Sequence, residues 1–137
     1  MRQPGRAVRF PGWVVSLVLA AEAVNRATSF LLRPPDENGL SLIEERMHYS
    51  GWAGLLLGAA VLLVGGITTW LHGYDHGVWF AFLGHFLLLV LVGVFASSVA
   101  LSALFKGEPW SGFGPLAVVC FWHSERLLCT GANIGKR

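Results

Sequence analysis

The sequence predicts an all-α fold, a polytopic membrane helical bundle of about four transmembrane helices with a short interfacial helix in the first loop. Three observations carry that reading. Of the 137 residues 54% are hydrophobic and only 13% charged, outside the balance of a soluble domain. The apolar residues gather in long runs, whereas a soluble helix would interleave them with charges every three or four positions. The remaining polar residues fall in short stretches between those runs, where a chain leaving the hydrocarbon would turn. Residues 1–137 read as a single integral membrane domain, with no internal repeat or low-complexity tract.

The first span covers about residues 10–32, preceded by Arg2, Arg6 and Arg9 and closed by Arg33, Pro34 and Pro35. Its length matches one crossing of ~20 residues. The same arginines, the stretch Trp13 to Ala20 and the triplet Ala21, Glu22, Ala23 also have the layout of a cleaved secretory signal. Apolar character resumes after Glu22 and further spans follow, which favours a crossing.

Between Arg33 and Ser50 lies the longest polar segment, with Asp36, Glu37, Glu44, Glu45 and Arg46. Ser41 and Glu44 have capping-box spacing, and Leu40, Leu42, Ile43 and Met47 would line one side of a helix lying on the membrane. The second span, about 51–71, has Trp52 and Trp70 near its ends, where amphipathic rings prefer the headgroup level. After the connection His72 to Gly77, the third span runs over about 78–105, longer than a perpendicular crossing needs. The fourth segment, about 113–134, is strongly apolar only to Trp122, before His123, Glu125 and Arg126 interrupt it. It spans, re-enters or lies flat, and spanning is the expectation, with its polar cluster inside the bundle or near the headgroups.

With four crossings, Arg2, Arg6, Arg9, Lys136 and Arg137 share one side, against Arg33, Arg46 and Lys106 on the other. The excess of positive charge places both termini in the cytoplasm, and the membrane is expected to be the cytoplasmic (inner) one. A formal net charge of +2 on scattered basic residues excludes a nucleic-acid-binding face. Cys120 and Cys129, nine positions apart, would stand roughly 13 Å apart on one helix, too far for a disulfide.

Four constellations could carry function. In the first span Glu22, Asn25, Arg26, Ser29 and Arg33 fall on one stripe, with Glu22 four residues before Arg26 in the favourable order for an ion pair. A lone charge at the bilayer centre costs at least ~2.5 kcal/mol, so this stripe should face other helices or water. Gly54 with Gly58, Gly93 with Ser97, and Ala96 with Ala100 have the small-xxx-small spacing that lets helices approach, within one chain or between chains. His85 lies inside the third span with Ala81, Ala96 and Ala100 near its side of the helix, and His123, Glu125 and Arg126 form the cluster of the fourth. If His123 also faces inward, the two histidines could ligate a haem; a hydrogen bond to a neighbouring helix satisfies His85 equally. His72, Asp75 and His76 read as a polar turn at the headgroups, because three ligands without a fourth are weak evidence for a metal. No nucleophile elbow, phosphate loop or carboxylate pair appears, so no catalytic residue, metal or cofactor is assigned.

The compact four-span plan, the segment Leu40-Ser41-Leu42-Ile43-Glu44 before a second span rich in Trp and Gly, and the closing Trp122-His123 with Arg126 resemble small membrane proteins of actinobacterial bacteriophages, some of them described as holins. The resemblance covers most of the chain and carries no site residue with it. It implies a non-enzymatic protein that collects in the host cell membrane, self-associates into an oligomer and opens lesions. Its partners would be the lipid bilayer and further copies of itself. Two alternatives stand beside it: an accessory membrane subunit anchoring another membrane protein through the 33–50 loop, and a redox anchor holding haem or quinone at His85.

Overall fold

The computed structural model describes residues 12–32, 49–107 and 113–134. Among these the chain is entirely helical: α1 (Gly12–Leu32), α2 (Tyr49–Leu71), α3 (His76–Lys106) and α4 (Phe113–Ile134). The helices fall on the four segments expected, within two residues at each end. Three of them, α1, α2 and α3, are long and apolar enough to cross a membrane. The expected interfacial helix, with Leu40, Ser41, Leu42, Ile43, Glu44 and Met47, and the terminal basic residues used to orient the chain lie outside the described residues.

Local chemistry explains the boundaries. The described part of α1 ends at Leu32, and the Pro34-Pro35 pair that follows in the sequence does not favour a longer helix, since proline lacks an amide hydrogen and disfavours helical backbone in the residue before it. α2 ends in a Schellman turn: Tyr74 N–H donates to Thr69 O (3.1 Å) and Gly73 N–H to Trp70 O (2.9 Å), with Gly73 at φ 87°. Gly107, at φ 69°, takes the same left-handed conformation after α3, where Lys106 also meets the helix dipole favourably.

Successive helices pack against each other, and α1 meets α4 only lightly. The core is built from Leu56 and Leu63 of α2 and Leu88 and Val92 of α3, all wholly buried. Phe95 stacks on Phe30 at 5.5 Å between ring centres and tilts against Trp52 at 4.9 Å. α1 presents a face of small residues, Ser16, Ala20, Ala23 and Ala27, to that core.

One expectation is corrected and another is narrowed. Trp52 is not a headgroup ring: it is buried against Phe95. The close approach of α2 and α3 is not made by Gly54, Gly58, Gly93 or Ser97. A Cβ added at Gly54, Gly58 or Gly93 would have open space around it, and Ser97 is exposed. The backbones meet instead at Gly66, Gly77 and Gly84, where a Cβ on Gly84 would stand 2.7 Å from Leu63 Cα. The reason is rotational: the helix faces carrying Gly66 and Gly84 turn inward with Leu63 and Ala81, and this leaves Gly54 and Gly58 on the outer surface.

Candidate functional site

The groups that could do chemistry collect at the end of the bundle where α1 begins, α2 hands over to α3, and α4 finishes. Gly12 marks the level: a Cβ there would lie 3.1 Å from the guanidinium carbon of Arg126. Arg126 of α4 is therefore level with the first turn of α1. Its Nε and Nη2 donate to Glu125 Oε2 and Oε1 at 2.6 and 2.7 Å, a two-point ion pair that neutralises both side chains locally. Cys129 Sγ donates to Glu125 Oε1 at 3.2 Å. Glu125 precedes Arg126 directly in the chain, and its long carboxylate arm reaches around the helix to its neighbour.

One turn deeper lies a buried polar chain. Ser16 Oγ, His85 Nε2, His85 Nδ1 and His123 Nδ1 follow one another, with 2.8 Å across the Ser16–His85 contact and 3.0 Å between the two imidazoles. Ser16 also donates weakly to Gly12 O at 3.2 Å. All three side chains are buried, with His85 at 1% and His123 at 0% exposure, so these bonds form away from water, where a missing partner is costly. His123 Nε2 has no partner among the described residues.

Geometry restricts the protons of this chain. A bond between two Nδ1 atoms needs one N–H and one lone pair, so at most one ring carries a positive charge. When both are neutral their tautomers are locked together. If His85 Nε2–H donates to Ser16, then His123 Nδ1–H donates to His85 and His123 Nε2 is bare. If Ser16 O–H donates to His85 instead, His123 Nε2 carries the hydrogen. The state of the serine is thus repeated at the far imidazole.

Beside the chain is a cleft of about 380 Å³ between α1, α2, α3 and α4, with Trp13, Ile67 and Trp70 among its walls. Ser16 and His85 line it deep inside, and Arg126 lines it nearer the first turn of α1. Its volume falls within the ~300–1,000 Å³ of small-molecule sites.

The residues singled out from sequence are sorted by this arrangement. His85 and His123 are brought together, and Glu125 and Arg126 stand beside them, the charges of both within electrostatic reach of His85. The histidines do not fit a haem between them, because their Nδ1 atoms bond each other at 3.0 Å, which leaves no room for an iron between the rings, and His85 Nε2 is taken by Ser16. Glu22 and Arg26 pair on the flank of α1, half-buried, and Arg26 lies within electrostatic reach of Cys120 on α4. Asn25 and Ser29 are exposed, so the polar stripe only partly faces its own bundle. His72 and His76 are both exposed, and no group of three or more potential metal ligands occurs among the described residues. Ser16 was not anticipated; its signal was the spacing of Ser16, Ala20, Ala23 and Ala27, which marks the small face of a packed helix. No protein-family model, curated protein or solved structure matches this chain.

Proposed function

We propose that this chain is a non-enzymatic, holin-like protein of the cytoplasmic membrane. In this reading it crosses four times with both termini inside, self-associates, and permeabilises the bilayer as an oligomer. The observation that supports it best is the polar surface of α1. Asn25 lies about two-thirds along that helix and is exposed, as is Ser29, whose hydroxyl is turned back onto Asn25 O at 2.9 Å. An amide transferred from water into hydrocarbon without a partner costs ~4–8 kcal/mol. A lone bundle in lipid bears that cost, and copies that turn these stripes toward one another around water relieve it. Gly54 and Gly58, open on the outside of α2, provide a surface on which a second helix can approach closely.

The level of Arg126 supports the fourth crossing. Beside the first residue of α1, the Glu125–Arg126 pair would sit at headgroup depth, where its charges are tolerated.

Controlled expression in a bacterial host, with membrane potential and viability followed over time, tests the reading. Abrupt depolarisation is expected, delayed or lost in the Asn25→Leu, Ser29→Leu double variant at equal membrane levels. Normal growth and potential at high levels of the native chain would refute it.

A further inference from the structure

We propose that the cleft at the α1 end of the bundle binds an uncharged aromatic ring bearing a carbonyl or hydroxyl oxygen, a quinone or a phenol, with that oxygen on Ser16. The inference is independent of self-association and rests on how the cleft is lined. Trp13 and Trp70 offer flat aromatic faces against which a ring can stack, and Ile67 adds apolar contact. Among the described residues that line it, the only full charge, Arg126, is already held at two points by Glu125, which favours a neutral ligand over an anion. Ser16 and His85 are the buried polar groups of the lining, while Arg126 stands near the first turn of α1, so a ligand oxygen reaches Ser16 past the paired guanidinium.

Ser16 can serve either kind of oxygen. Its hydrogen rests on Gly12 O at 3.2 Å, a long bond readily exchanged for a ligand carbonyl. Its remaining lone pair, or both lone pairs when the hydroxyl donates to His85, accept from a phenol. The locked imidazole pair makes that choice without moving charge: Ser16 changes role as His85 and His123 exchange tautomers. Ser16 and His85 are held by packing and by each other, so the ligand finds its partner already oriented.

The test uses the full chain in vesicles of phosphatidylcholine and phosphatidylglycerol, with 1,4-naphthoquinone as quencher of tryptophan fluorescence. Quenching should saturate, lose its saturable part in the Trp13→Phe, Trp70→Phe double variant, and be reversed by 1-naphthol but not by naphthalene. Ser16→Ala should weaken binding about tenfold, the loss of one buried hydrogen bond. Val78→Trp, which fills the cleft without touching Ser16, should abolish binding, and circular dichroism checks that each variant keeps its helices. Quenching that rises without saturation, as in vesicles lacking protein, would overturn the site. Undiminished affinity in a folded Ser16→Ala variant, or competition by naphthalene as strong as by 1-naphthol, would overturn the role of the oxygen. If 1-naphthol fails to compete while naphthoquinone saturates, the site takes carbonyl oxygens alone and the phenol half of the proposal falls.

Discussion

Replacing the two imidazoles singly and together by leucine should reveal that they act as a pair. His85 bonds through both nitrogens and is wholly buried, so His85→Leu removes two hydrogen bonds, each worth ~0.5–1.5 kcal/mol net, and leaves His123 Nδ1 unpaired in the core. His123→Leu removes one bond and strands His85 Nδ1, at a cost of ~1–3 kcal/mol. It also disposes of His123 Nε2, which already lacks a partner among the described residues, so the net loss is smaller than for His85. In the double variant no imidazole nitrogen is left stranded, and Ser16 still has Gly12 O. The double variant should therefore be more stable than the sum of the single losses predicts, by about 1 kcal/mol; hydrogen bonds between membrane helices average ~0.6 and reach ~1.7 kcal/mol in such cycles. Reversible unfolding in mixed micelles of dodecyl maltoside and sodium dodecyl sulfate, followed by circular dichroism, gives the four free energies. Additivity within ~0.3–0.5 kcal/mol would show that the rings do not interact, and the locked relay would fall with them.

Three further outcomes follow from the packing. Gly84→Ala should destabilise the bundle by ~1–3 kcal/mol, because its Cβ would stand 2.7 Å from Leu63 Cα, whereas Gly58→Ala should leave unfolding unchanged and act only on association, read by cross-linking. Arg26→Leu, which leaves Glu22 without its intrahelical partner at bilayer depth, should lower stability by about 2.5 kcal/mol or more. The Glu22→Leu, Arg26→Leu double variant should recover most of that loss in the same micelle assay. Exposed Cys129, beyond Arg126 on α4, should react with a membrane-impermeant maleimide only in inside-out vesicles; labelling of intact cells would reverse the proposed orientation.

The limits of the helices were legible because they depend on local signals: the apolar runs, the Pro34-Pro35 stop and the Gly73 turn. Which face of each helix turns inward was not. Gly54 and Gly58 match a packing motif as well as Gly77, Ala81 and Gly84 do, and only the rotation imposed by Leu56, Leu63 and Leu88 decides that the second set meets α2 while the first faces out. Trp52 was misplaced for the same reason, since a tryptophan near a helix end suits either a headgroup or an aromatic core, and Phe95 supplied the core. For the site, His85 and His123 stood out as polar residues in apolar runs. Their meeting could not be read, because it needs the relative height of α3 and α4. Ser16 offered only its place on a small-residue face, as a serine within a membrane helix commonly satisfies itself on the carbonyl four residues back.

α3 has 31 residues, about 46 Å of helix, while α1 has 21, about 32 Å. To lie wholly within a ~30 Å hydrocarbon layer α3 would have to tilt by about 50°, more than the 0–40° that membrane helices adopt. Its far end, with exposed Leu104, Phe105 and Lys106, therefore stands among the headgroups and works as a lever arm. Bilayer thickness pulls on that arm at a cost of fractions of a kcal/mol per Å, while α1, matched to the layer, stays put. His85 lies about 30 Å back along α3 from that end, so vesicles of graded acyl-chain length should move Leu104 and Phe105 before they change the 2.8 Å contact of Ser16 with His85.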